Sequence, residues 1–199
     1  MENRVFKVVP DYSSIHDEAY DAVNIDEGRY DMIPSKLIGV RDVELPTEMN
    51  FSAKFSILSS RDYIINNMSI PIVHRRFISL LLEIQFFKIR LVPIKLFDDT
   101  LLNTSDKTKE GLSVNEDFIT FQLTEYLDAF NYEFSDFESD PILGVGDIKK
   151  LVLRRPSNSF PPLFRLKESR SDLFIDSRSK EVLTNAKIKG CLFEAVPVV

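Results

Sequence analysis

The sequence predicts an α+β fold: a largely antiparallel β-sheet with a few packed helices, and a helix–strand unit used twice. Three observations lead there. Segments with strand-like alternation outnumber those with helical periodicity. The strands do not alternate regularly with helices, which argues against a doubly wound parallel sheet. The 199 residues are 44% hydrophobic and 28% charged, which suits one globular domain over residues 1–199. A domain of that size buries enough surface to need no disulfide or metal staple.

Taken in order, residues 5–9 and 52–58 read as strands. Residues 69–84 read as a helix with Pro71 in its first turn, where a missing N–H costs nothing. Val73, Phe77, Leu80, Leu81 and Ile84 form its apolar stripe. Residues 87–94 are a β-rich run, and residues 98–115 a polar loop. From Asp117 to Thr124, Ile119, Phe121 and Leu123 alternate with Thr120, Gln122 and Thr124, the period of a half-buried strand. Residues 124–140 fit two periods. Tyr126, Phe130, Phe134 and Phe137 stand at helical spacing, whereas Phe130, Tyr132 and Phe134 stand at strand spacing. Residues 148–153 and 163–166 read as strands on either side of a proline-bearing loop. Asp176 or Ser177 then caps a short helix carrying Val182, Leu183 and Ala186, and residues 188–196 form the last strand.

A shift of 102 positions lays Arg76 on Arg178, Leu80 on Val182, Leu81 on Leu183, Ile84 on Ala186 and Leu91 on Phe193. The identities are too few to establish a repeat from sequence, but the order helix-then-strand recurs.

Charge is unevenly distributed. Lys and Arg total 25 against 31 Asp and Glu, a net charge of −6, which argues against nucleic acid or an anionic membrane as partner. Residues 98–140 hold 12 acidic and 2 basic side chains, while residues 51–97 and 141–199 are each net basic. The acidic block is also rich in aromatics, unlike a solvated disordered tail. The first residues lack the apolar stretch of a signal peptide. The most apolar region, 70–96, is broken by charges, so no membrane span and a cytoplasmic location are expected.

Catalytic chemistry has little material. Cys191 is the single cysteine, and it lies in an apolar strand, where a thiol acts as a small core residue. The two histidines are His16, in a polar segment with Asp17 and Glu18, and His74, at the start of the long helix. No helix-borne His-Glu-x-x-His spacing, calcium loop or complete phosphate-binding loop is present. The expectation is a chain that is not an enzyme and needs no cofactor or metal. The runner-up is a small cytoplasmic hydrolase using His16 or His74.

The C-terminal third runs Leu151-Val152-Leu153, then Leu163-Phe164-Arg165-Leu166, then Leu173-Phe174-Ile175-Asp176-Ser177 into a helix. It ends Gly190-Cys191-Leu192-Phe193-Glu194-Ala195-Val196. This order resembles a family of bacterial immunity proteins, antidotes to polymorphic toxins that include type VI and contact-dependent effectors. The middle, with Pro71, the helix to Ile84 and the strands near 94 and 118–123, fits the same layout. The resemblance implies a protein that binds a cognate toxin one to one and occludes its active site. It brings no catalytic residues. Its Arg165 is expected to be tied down by a neighbouring acid.

Charge complementarity then nominates the acidic block as the toxin-facing surface, since carboxylates can stand where a basic cleft expects phosphates and speed association. The candidate partner-binding residues are Glu116, Asp117, Glu125, Tyr126, Asp128, Tyr132, Glu133, Asp136, Glu138 and Asp140, the tyrosines as buried anchors. An effector-loading adaptor is the third reading.

Overall fold

Pairing of the β-branched and aromatic runs dominates the computed structural model, which describes residues 4–14, 20–26, 32–99, 113–142 and 144–199. His16, Asp17 and Glu18 lie outside the described residues, as does most of the polar loop expected at 98–115. The strands are β1 (Val5–Pro10), β2 (Ala22–Asn24), β3 (Met49–Ala53), β4 (Tyr63–Ile64), β5 (Ile72–His74), β6 (Ile89–Asp98), β7 (Val114–Leu123), β8 (Asp136–Asp140), β9 (Gly144–Lys150), β10 (Leu173–Asp176) and β11 (Cys191–Val196). The helices are α1 (Ile33–Ile38), α2 (Phe55–Leu58), α3 (Arg75–Ile84) and α4 (Ser177–Asn185).

A six-stranded sheet has the order β2-β3-β6-β7-β5-β4, antiparallel except where β3 meets β6. A three-stranded sheet, β10-β1-β11, is antiparallel throughout, and β8 and β9 form a separate hairpin. The fold is α+β. Among the described residues no helix is long and apolar enough to cross a membrane.

The recurring helix–strand order proves to be one part of a larger duplication. The unit β5-α3-β6 matches β10-α4-β11 at the shift of 102. Between β5 and β6 lies β7, antiparallel to both, and between β10 and β11 lies β1 in the same way. The registers agree residue for residue: Ile119 faces Val73 and Pro93, and Phe6 faces their counterparts Ile175 and Ala195. The match continues outward. Phe51 pairs in parallel with Leu96, and Leu153 with Val198, again at 102. Ile64 pairs with Ile72 as Phe164 does with Phe174, and Ala22 bridges Asn66 as Leu127 bridges Leu166.

Each half of the chain therefore begins with a strand that completes the other half's sheet. β1 is inserted into the second unit and β7 into the first, an exchange of the kind seen between swapped protomers.

Burial follows the duplication. The shared core brings Phe77, Ile78 and Leu81 of α3 and Leu183 of α4 against Ile119, Phe121 and Leu123 of β7 and Phe6 and Val8 of β1. Each unit also has a core on its outer face. Met49, Phe51, Ile72, Ile94 and Phe118 pack beneath Ile33 and Leu37 of α1, and Val5, Leu153, Phe164 and Phe174 pack with Phe130 and Phe160.

Several sequence expectations shift here. The long helix starts at Arg75, not residue 69. Ile72 and Val73 are claimed by β7 and β4 as strand partners, so His74 becomes the N-cap, its side chain accepting from the Arg76 amide. Residues 55–58 turn into α2 after β3 has ended, and residues 163–166 keep only single bridges. β7 is not half-buried. Thr120 and Gln122 are as inaccessible as Phe121, because α1 and its following loop cover that face. There Gln122 Nε2 donates to the Lys36 and Arg41 carbonyls at 2.8 and 2.9 Å. The ambiguous stretch 124–140 becomes turns followed by β8, and Asp176 caps α4 as expected.

The seam between the units is closed at one end by Gly190. It has φ +88°, and a Cβ there would stand 2.2 Å from the Tyr63 carbonyl oxygen. Gly190→Ala is expected to cost about 3 kcal/mol or more through the left-handed backbone and the clash with main chain. The counterpart substitution Lys88→Ala, at an exposed side chain, should stay within about 0.5 kcal/mol. Urea unfolding of the two variants checks the pair.

Candidate partner-binding surface

Where the first unit carries α1, the second carries the β8–β9 hairpin, and the candidate residues concentrate on the approach to it. Asn131 sets the local geometry. Its Oδ1 accepts from the Glu133 and Phe134 amides at 3.0 and 3.1 Å, an Asx turn that throws residues 132–134 outward. Tyr132 is 58% and Phe134 54% exposed, and Ile142, in the hairpin turn, 90%.

Tyr132 is nevertheless held rigidly. Its ring stands edge-on to buried Phe130 at 4.8 Å and to Phe137 at 5.9 Å, and its hydroxyl donates to Glu168 Oε1 at 2.6 Å. That hydrogen bond, which ionisation would break beside a carboxylate, pushes the phenol up to about 12. A fixed aromatic at a surface loses little entropy on binding.

The ten candidates do not form one patch. Glu116 and Asp117 stand near the start of β7, and Glu125 follows its end. At about 3.4 Å per residue, the stretch of β7 from Asp117 to Leu123 alone spans about 20 Å. Tyr126, Asp128, Tyr132, Glu133, Asp136, Glu138 and Asp140 continue from Glu125 toward the hairpin.

The acidity is also partly matched by the basic blocks on either side of it in sequence. Glu116 lies 3.9 Å from Lys95, Glu125 3.6 Å from Lys88, Asp128 2.5 Å from Arg154 and Glu138 3.1 Å from Lys149. The Arg154 hydrogen bond holds the Asp128 carboxyl below its ordinary range. Asp140 accepts from the Ile142 amide at 2.8 Å. Glu133 and Asp136 are exposed, and no ion pair to them occurs among the described residues.

Tyr126 faces inward. Its hydroxyl donates to the Ile38 carbonyl at 2.9 Å, and burial raises its phenol. Arg165 is not tied to an acid as expected. Only 1% exposed, it donates from Nη1 to the Arg170 and Ser171 carbonyls at 2.5 and 2.9 Å, and burial pushes it down to about 10. Backbone carbonyls replace the carboxylate because the 167–172 turn folds back over the guanidinium.

On the far side, a cleft of about 430 Å³ gathers Asp62, His74, Arg76, Asp117 and Lys189. Asp62 is its organising group. Its carboxylate accepts from Arg76 Nε and Nη2 and from the Lys189 amide at 2.9 Å, and its carbonyl accepts from the His74 amide at 2.8 Å. His74 Nδ1 is occupied by the helix cap, and its ring meets the Phe118 edge at 5.3 Å. Cys191 is buried, and burial pushes its thiol up to about 12, far from the thiolate a nucleophile needs.

Sequence reasoning missed Phe134 and Ile142 as exposed apolar groups, treating the block's aromatics as core or anchors by type alone. The Asn131 turn was the available signal. No family model matches the chain, and no curated protein matches it by sequence.

Two measurements follow from these groups. The Tyr132 phenol is raised in the folded state, so its hydrogen bond stabilises fully below pH 10 and is lost as pH rises toward 12. Tyr132→Phe should therefore be less stable than the parent at pH 8, with the gap narrowing above pH 10 in denaturant titrations. Cys191 should resist iodoacetamide at pH 8 in the native protein and react fully once unfolded, as mass spectrometry would record.

Proposed function

We propose that this chain is an immunity protein of the bacterial cytoplasm that binds a cognate secreted toxin one to one and blocks its active site. The observation that carries this reading is the surface of the 128–142 segment. Tyr132, Phe134 and Ile142 project from it beside the exposed carboxylates of Asp128, Glu133, Asp136 and Glu138. A rigid aromatic with exposed apolar neighbours, ringed by charge, is the composition of a protein-binding hot spot, where one or two anchors supply most of the affinity. Carboxylates at its rim favour a basic partner face and a fast encounter, which suits an antidote that must outrun its toxin. The resemblance of the sequence's element order to that of immunity proteins suggests the biological setting. Glu116 and Asp117 stand apart and are left out of this surface.

The test is capture of the partner from the native cytoplasm with tagged protein, identifying what is retained. A stoichiometric C-terminal region of one large effector supports the reading, and its absence from cells expressing such effectors contradicts it. With the partner in hand, Tyr132→Ala should weaken binding by about 2 kcal/mol, roughly 30-fold. The association rate should fall steeply with added salt, and a flat rate would remove the carboxylates from the encounter.

A further inference from the structure

Besides the hairpin that replaces α1, the two units differ at one seam. In the first unit Arg61 fills it. The side chain is nearly inaccessible, passes against Gly190, donates from Nη1 to the Asp11 carbonyl at 2.9 Å and places Nη2 3.6 Å from Asp21 Oδ1. The duplication gives every participant a counterpart. The Asp11 amide donates to the Gly190 carbonyl as the Thr124 amide does to that of Lys88. Asp21 precedes Ala22 as Tyr126 precedes Leu127, and Ile65 and Arg165 accept from the corresponding amides. The register of Ile64 with Ile72 and of Phe164 with Phe174 sets Pro161 against Arg61.

Proline has no side chain that could cross this seam, and the second slot stands open. It is a cavity of about 180 Å³ walled by Phe87, Leu123, Tyr126, Leu127, Leu163 and Phe164. Pro161 lines it, and Glu125 and Lys88 stand at its mouth, both about two-thirds exposed and 3.6 Å apart.

We infer that this slot receives an arginine side chain from the protein partner, seated as Arg61 is seated in the first unit. Apolar and aromatic walls suit the stem and the flat face of a guanidinium, which is weakly hydrated for a cation. Tyr126 offers a ring, as it already does to Arg170, whose guanidinium carbon lies 5.9 Å from its centroid. Glu125 supplies the carboxylate at the mouth in place of Asp21. The exposed Lys88–Glu125 pair is worth little and gives way at small cost.

The source of the arginine rests on the immunity reading, so the experiment addresses the slot first without the toxin. Nα-acetyl-arginine amide is titrated into full-length ¹⁵N-labelled protein up to about 10 mM, the range of a weak single-residue ligand. The expected result is saturable shifts of the Phe87, Lys88 and Leu123–Leu127 amides. Glu125→Gln should weaken binding about fivefold, and Pro161→Arg, which supplies an internal plug, should abolish it. Nα-acetyl-phenylalanine amide should bind at least tenfold more weakly.

No shifts with the arginine probe, equal shifts in P161R, or tighter binding of the phenylalanine probe each overturns the inference. If P161R does not fold, the Glu125→Gln comparison decides. Effector capture then separates the two claims. If P161R captures the effector as well as the parent does, the slot reading falls and the immunity reading stands. If the parent captures nothing, the immunity reading falls whatever the titration shows.

Discussion

The pairing of each unit's central strand with the other half of the chain is the constraint on which the rest of the structure depends. β7 hydrogen-bonds to β5 and β6, and β1 to β10 and β11, so neither half can complete a sheet from its own sequence. Removing either strand would expose a row of backbone donors and acceptors on two neighbours and strip one wall from the shared core around α3 and α4. The exchange also brings residues 5–10 against residues 173–196. Such sequence-distant pairing must close long loops before it is rewarded, which places the chain among slow folders. The pairing explains why the shared core draws on both ends of the chain at once.

A duplicated frame makes its own departures informative. Strand registers and outer cores repeat, because pairing and burial impose the same demands on both units. The seam does not. At one end Arg61, Asp62 and Gly190 lock main chain to main chain, with Asp62 bridging α3, β5 and the turn before β11. At the other, Pro161, Pro162 and Lys88 occupy the matching places and leave an apolar slot. The second departure is the β8–β9 hairpin, which stands where the first unit has α1 and carries the exposed aromatics. Both departures lie on the same half of the chain, along the stretch from Glu125 to Ile142 and the residues that wall it.

The acidic block shows how far counting reaches. Its density is real, but charge in sequence is not charge on a surface. Lys88, Lys95, Lys149 and Arg154 come from the neighbouring basic blocks to meet four of its carboxylates, and the length of β7 carries Glu116 and Asp117 away from the rest. Tyr126 and Tyr132 were nominated together by residue type. One is tethered inward by the Ile38 carbonyl and the other is presented outward by the Asn131 turn.

Local chemistry determined part of this protein outright. Alternation in residues 117–124, the apolar run 5–9, the Asp176 cap and the apolar stripe of Phe77 and Leu81 are short-range signals, and each specified an element of the expected type, the long helix starting later than read. The spacing of 102 was legible for the helix and its following strand, where the matched pair Leu81 and Leu183 both enter the shared core. Tertiary structure decided the remainder. Whether Val73 and His74 belong to a helix or a strand turned on the presence of β7 beside them, a partner more than 40 residues away. The burial of Thr120 and Gln122 turned on α1 covering a face that alternation assigns to solvent. The strand exchange and the contrast between a filled and an open seam depend on which distant segments meet, and no window of sequence contains both members of such a pair.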